Sequence, residues 1–446
     1  MKIVAVAVAV AVRGAKIAIK PLILGLALGL SATGPLLAQL HLHGDVNPLV
    51  RITRGQRVMD LPHRFVTIEG RRQGSSVGMF FATALEYRPG RDSLTLELRE
   101  AYAEVYTGLG DWRFGKQIIT WGAADGNNPT DNISPYDFYY LFLPGASRKM
   151  GTLAASANLY LGSLNLTAVM VPLFRPNRIP LNEPDFPIFG GSGNPFGNLP
   201  VGEIPVEREL GNSEVALRIG LPLSRVDLSL SYFSGHDRMF TPIPWINPIS
   251  SMMIPDSITL HYLSTQVIGG DLVTFIGGFA VRAEAAYFMT EDDEGILPFI
   301  RNPYWQYVLQ LDYSGGQATY MAQYLGTYIT KLDGDDIYYP LGTITEDDNE
   351  RDNLPPKLGM PFAAIAQNAV MITASRDFSD GRYSVRGQTL YDLDHGGYML
   401  GGQVTVGLEE AFDIEVGLTM LGGDEESRLY AMRDFSHLSL ALKYSF

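Results

Sequence analysis

The chain has 446 residues, of which 46% are hydrophobic and 18% charged, a balance that excludes a disordered polymer and leaves room for one large unit or two or three ordinary domains. It contains no cysteine, which removes disulfide frameworks, thiolate metal sites and a cysteine nucleophile together. Its net charge of −14 repels nucleic-acid phosphates, so no nucleic-acid partner is expected.

Residues 1–38 have the make-up of an export signal: Lys2, Arg13, Lys16 and Lys20 precede the apolar run PLILGLALGL, and GPLLA offers a cleavage point after Ala38. Its removal leaves 30 basic against 48 acidic residues, a net charge of −18. Beyond it no window is long and apolar enough for a membrane helix. Period-2 segments recur instead. EVALRIGL sets Val215, Leu217, Ile219 and Leu221 against Glu214, Ala216, Arg218 and Gly220, and VDLSLSYF repeats the pattern.

In chain order the alternation predicts strands at 41–53, 63–73, 75–88, 93–107, 110–121, 150–161, 163–172, 213–221, 225–234, 257–275, 278–290, 303–314, 317–331, 366–378, 382–394, 397–408, 412–422 and 434–446. Glu100 breaks the phase of SLTLELREAYAEVY and predicts a bulge. Periodicity alone fits a soluble sandwich as well as a membrane barrel; loop lengths separate the two. Connections after even strands are tight, whereas those after odd strands include long segments at 122–149, 173–212, 235–256, 291–302, 332–365 and 423–433. That sorting predicts an all-β transmembrane antiparallel barrel of about 18 strands, with 16 as the alternative, short periplasmic turns and long external loops. Phe138, Tyr139, Tyr140, Phe142, Tyr304, Trp305, Tyr338 and Tyr339 fall near strand ends, where interfacial girdles belong. The last strand, HLSLALKYSF, alternates to Tyr444 and Phe446, the pattern of a signal read by barrel-assembly machinery.

The stretch WRFGKQIITWG followed by DNISPYDF resembles a family of Gram-negative outer-membrane porin-like proteins, mostly of unknown function. Arg113, Gly115, Lys116, Gln117, Trp121 and Gly122 match its Arg-x-Gly-Lys/Arg-Gln-x-x-x-Trp-Gly signature; Asp131 and Pro135 match a second element in which Ser134 replaces the usual Asn. The resemblance implies a barrel and passive transport, and no particular solute. Physically, Arg113 and Gln117 share one strand face around Gly115. Either both stand in the lumen and hold the 123–149 loop as a constriction, or Arg113 and Trp121 only anchor the strand at its membrane ends.

Positions opposite the apolar stripes approximate the lumen. They carry Arg99, Arg113, Arg218, Arg282, Arg386 and Lys443, with Glu97, Glu214, Asp227, Glu284, Asp312, Asp392 and Glu415. A mixed lining predicts modest charge selectivity. Constriction candidates are Arg99, Arg113, Lys116, Gln117, Arg218, Arg282, Glu284, Asp312 and Arg386.

Other motifs are weaker. Gly110, Gly115 and Lys116 have phosphate-loop spacing, but Gln117 replaces the metal-binding hydroxyl; GSSVG at 74–78 lacks the strand-to-helix setting of a hydrolase elbow. His236-Asp237 and Asp392, Asp394, His395 are the candidates for a rim hydrolase, and His41 with His43 could hold a metal given a third ligand. The acidic stretches at 291–295, 333–336, 346–352 and 423–427 are solvated surface or weak Ca²⁺ or Mg²⁺ bridges to lipopolysaccharide. No other cofactor is expected. Phe174, Phe186, Phe189 and Phe196 either pack the 173–212 loop or line an apolar pocket. The expected function is an outer-membrane porin-like channel for small solutes, in contact with lipid and lipopolysaccharide; a channel for hydrophobic compounds and a rim hydrolase are the alternatives. Oligomeric state is left open.

Overall fold

In the computed structural model, residues 40–446 are described except 182, 189–198, 247–254, 293–299, 331–337, 340–341, 344–359, 380 and 410. They form a closed antiparallel barrel of 18 strands. The first strand is interrupted: His41–Val46 pairs with the second strand, Leu49–Thr53 with the last, and Pro48, which has no N–H to give a ladder, sits at the break. Closure is completed where Asp45 faces Ser445 and where Gly44 and Phe446 exchange two backbone hydrogen bonds of 2.9 Å.

The faces settle the choice between sandwich and membrane barrel. Val215, Leu217 and Ile219 are exposed while Glu214 and Ala216 are buried; Trp305, Leu309 and Leu311 are exposed while Gln306 and Gln310 are completely buried. An apolar outside around a polar inside is the arrangement lipid requires and water forbids. The sorted loops follow from the same polarity. Every connection after an even strand has two to four residues, and Gly162, Gly277 and Gly316 take φ of +61 to +66° in three of these turns.

The predicted bulge is present. Ala82 pairs with Glu100 and Thr83 with Leu98, which leaves Arg99 as the extra residue and turns both Arg99 and Glu100 toward the inside. Two boundaries differ. The strand predicted over 257–275 is two: Pro255–His261 joins Thr241–Ile246 and Val201–Glu203 in a small separate sheet, and the barrel strand is Ser264–Ile276. The strand predicted over 110–121 ends at Gln117.

The aromatic assignments need correction. Phe138 and Tyr140 are buried inside because the segment carrying them turns into the lumen, and Tyr304 because it takes the inward face of the strand Tyr304–Gly315, stacked on Phe288 at 4.6 Å. Trp305 does face outward, against Tyr287. At the short-turn end the outward ring is built by residues such as Phe279 with Tyr313 at 5.4 Å and Phe412 with Tyr444 at 4.7 Å. The side chains of Tyr338 and Tyr339 lie outside the described residues.

Candidate functional site

The WRFGKQIITWG stretch marks where the chain leaves the wall. After Gln117 it turns into the lumen, where the amides of Ile118, Ile119 and Trp121 find side-chain acceptors instead of a neighbouring strand. Ile118 donates to the Glu100 carboxylate at 2.7 Å, Ile119 to the Ser134 hydroxyl at 2.8 Å and Trp121 to Asp131 at 3.1 Å. Gly122 then takes φ of +99°, and a Cβ there would lie 2.6 and 2.7 Å from the Glu284 carboxylate oxygens, so both backbone and space demand glycine.

Glu284, on the strand Phe279–Met289, holds the tip of the folded-in loop. Its carboxylate accepts hydrogen bonds from Thr130 N (2.9 Å) and Oγ1 (2.7 Å), Ala123 N (2.9 Å), Ala124 N (3.4 Å) and Asn128 Nδ2 (3.2 Å). Arg282 donates to the Ala123 carbonyl at 3.0 Å while pairing with Asp125 and Asp312. Gln310 accepts from Asp125 N at 2.7 Å, and Gln323 accepts from Asn127 at 3.1 Å. The returning limb is tied by Arg64 to the Ser147 carbonyl at 2.6 Å and by Arg99 to the Ala146 carbonyl at 3.1 Å. Within the loop Asp131 and Lys149 form a buried pair at 2.6 Å. Burial pushes the Asp131 carboxyl up and the Lys149 amine down, and their mutual attraction opposes both shifts.

The 123–149 loop does fold into the lumen, but Arg113 and Gln117 do not hold it. Arg113 pairs with Glu104 at 2.8 Å, and Gln117 donates to the Ala154 carbonyl and accepts from Ser156, both on the adjacent strand. Lys116 lies on the opposite strand face, directly across from the exposed Leu153, and its amine donates to the Leu98 carbonyl. Trp121 is buried beside Ile133 in the lumen, not set at the membrane interface. Arg218 pairs with Asp271 at 3.0 Å. Of the charged candidates, Arg282, Glu284 and Asp312 stand beside the folded-in loop; Gln310, Gln323 and Asn128, which stand there too, are neutral and visible in sequence only as polar residues.

Toward the long loops the lumen is bridged by apolar side chains. Tyr136, Phe138 and Leu141 of the folded-in loop meet Phe186, Phe362, Phe435 and the wall residues Val308 and Leu390 in one buried cluster. Phe186 packs on Phe435 at 4.6 Å, which gives the 173–212 loop a packing role there; Phe189 and Phe196 lie outside the described residues.

Because the loop leans on one wall, a cavity of about 660 Å³ remains between it and the other, made of the last five strands and Leu49–Thr53. The register sorts this wall into rows running across the strands. Met371, Leu390, Met399 and Leu421 form the first; Thr373, Gln388, Gly401, Thr419 and His437 the second; Arg386, Gln403, Gly417, Ser439 and Arg51 the third. Glu415 lies in the next row, toward the short turns.

At the rim, Ser427 donates to Asp392 at 3.0 Å and His395 approaches the same carboxylate at 3.5 Å. The acid therefore stands between hydroxyl and imidazole, whereas nucleophile activation places the imidazole in the middle. His236 faces Glu214 at 3.7 Å, and His43 faces Glu69 at 3.1 Å; among the described residues no three metal-ligating side chains converge. The acidic stretches at 333–336 and 346–352 lie outside the described residues.

A family model described as "Protein of unknown function (DUF1302)" matches residues 71–446. The chain belongs to that family. No curated protein matches it in sequence. The DUF1302 barrel superimposes on OccK2 (OpdF) of Pseudomonas aeruginosa, solved in complex with glucuronate, with a TM-score of 0.51 and 11% identity over 92% of this chain and 97% of that one. OccK5 (OpdH) and OccK10 (OpdN) of the same organism give 0.49 and 0.48 at 11% identity, covering 91% and 92% of this chain and 97% and 99% of theirs. At such identity the likeness concerns the fold alone, a barrel resembling those of outer-membrane proteins.

Proposed function

We propose that this DUF1302 protein is a Gram-negative outer-membrane channel through which small solutes pass down their gradients, along the cleft between the folded-in loop and the wall of the last strands. The observation that carries the proposal is the asymmetry of the loop. It is fastened by Glu284, Gln310 and Gln323 to one side of the barrel and leaves the cavity of about 660 Å³ on the other. A structural barrel with a sealed lumen has no need of such a cleft. Much of the wall charge is spent in cross-strand pairs, Arg113 with Glu104, Arg218 with Asp271 and Arg282 with Asp312, so the background field is close to balanced and ion selectivity is expected to be modest.

The test is single-channel recording of the refolded protein in a planar bilayer under a salt gradient, with folding checked by heat-modifiable electrophoretic mobility. Discrete steps with a small reversal potential support the reading. A folded barrel that carries no current, and admits no small sugars or organic acids in a liposome-swelling assay, overturns it.

A further inference from the structure

We infer that the cleft selects amphipathic organic anions, an acid group joined to an aromatic or alkyl body; this rests on the channel reading above and names its solute class. The third wall row places a guanidinium at each end, Arg51 and Arg386, with Ser439, Gly417 and Gln403 between them. Four strand spacings separate the two arginines, about 19 Å of backbone along the wall. At Gly417 the Ser439 hydroxyl fills the place a side chain would take, so the middle of the row is short and polar between cationic ends. Arg113, Arg218 and Arg282 each hold a carboxylate of the wall or loop, but among the described residues neither Arg51 nor Arg386 forms an ion pair. Both line the cavity. A lumen arginine left without a carboxylate partner is a donor set for a passing anion, and guanidinium geometry favours a carboxylate taken in bidentate fashion.

The other end of the cleft is apolar. Met371 and Met399 lie four residues along their strands from the arginine row, about 13 Å away. Phe142 of the folded-in loop faces the same cavity, stacked against Phe362 at 5.8 Å and Phe435 at 5.4 Å. Unbranched methionines beside rings adapt to bodies of different shape. Thr373, Gln388 and Thr419 bridge the two ends, with the Gln388 side chain lying over Gly401. Glu415 sets the lower edge by repelling an anion that moves past the arginines.

The two ends discriminate together. A small hydrophilic anion satisfies the guanidiniums and gains nothing from the methionine row. A hydrocarbon covers that row and leaves desolvated guanidiniums unmatched. An acid carried on an apolar body roughly 10 to 13 Å long uses both ends at once.

The deciding experiment measures blockade of potassium chloride current by 4-phenylbutyrate, with gluconate as a polar acid and 4-phenylbutylamine as an apolar cation. We expect 4-phenylbutyrate to interrupt the current at concentrations at least about tenfold below those needed for either control. Arg51→Gln with Arg386→Gln is expected to raise its blocking concentration about tenfold or more. Gln403→Glu, which supplies the arginines with an internal carboxylate, is the second variant and is expected to act in the same direction. Met399→Gln should weaken 4-phenylbutyrate and leave gluconate unchanged. Equal blockade by gluconate, equal blockade by the amine, or arginine variants within twofold of the parent would overturn the inference. If the folded barrel carries no current, calorimetric titration of the detergent-solubilised protein separates the two claims. Binding of 4-phenylbutyrate lost in Gln403→Glu keeps the site while the channel reading fails; no binding removes the site as well.

Discussion

Glu284 is the latch of the constriction, and removing it tests the whole arrangement. In Glu284→Ala three loop amides, that of the half-buried Ala123 and those of the buried Ala124 and Thr130, lose their acceptor, as do the Thr130 hydroxyl and the Asn128 amide. An unsatisfied buried donor costs about 1–3 kcal/mol. Taking the low end for the three backbone amides alone gives about 3 kcal/mol, or roughly a hundredfold rise in the population of the detached loop tip. The limb beyond stays fastened by the Asp131–Lys149 pair and by Arg64 and Arg99, so the barrel is expected to fold and the loss to be local. In single-channel records the variant should show a larger mean conductance and frequent short excursions to a wider state. Gly122→Ala should do the same by another route, since its Cβ would sit 2.6 Å from a Glu284 oxygen at a φ of +99°. The two changes relieve each other sterically, so the double variant should fall short of additivity. Conductance and noise in Glu284→Ala indistinguishable from the parent would refute the latch and with it the claim that this loop sets the pore.

The Asp131–Lys149 pair is buried at both ends, so Lys149→Met should lower the unfolding temperature strongly by stranding a carboxylate, at about 3–5 kcal/mol, and adding Asp131→Asn should recover much of that loss; equal single and double variants would show the pair to be idle. Asp137 is completely buried where the loop meets Arg178 and, through it, Glu86; burial pushes its carboxyl up to about 7, with Arg178 opposing and Glu86 adding. A raised acid favours the folded state fully below its ordinary value near 3.8 and loses that advantage as pH climbs through about 7, so loop closure should loosen between pH 4 and 7 and level off above. Channel noise measured across that range should rise in the parent and stay flat in Asp137→Asn. Phe446 seals the barrel through its backbone pairing with Gly44 and presents its ring outward beside Tyr444, so its deletion should lower the yield of heat-modifiable barrel in an assembly assay far more than the conservative Phe446→Tyr.

What the sequence revealed and what it hid divide along a physical line. All 18 strands were legible because lipid enforces one rule at every outward position, so Val215, Leu217 and Ile219 announce a face without reference to any other part of the chain. Even the bulge at Arg99 was local: one extra residue shifts the phase of everything after it. The constriction depends on distant pairings that no periodicity carries. Glu284 reads as one lumen acid among several, and only closure of the barrel brings it beside a glycine 162 residues earlier. Phe138 and Tyr140 were read as interfacial because aromatic residues at strand ends usually are, yet the chain had already left the wall at Gln117, so the same preference for a half-polar setting was met inside. The arginine row shows the converse. Arg386 was named as a lumen charge, but Arg51 lies 335 residues before it and Gln403 carries no charge, and their alignment follows from strand register alone, in the direction across the strands along which a sequence cannot be read.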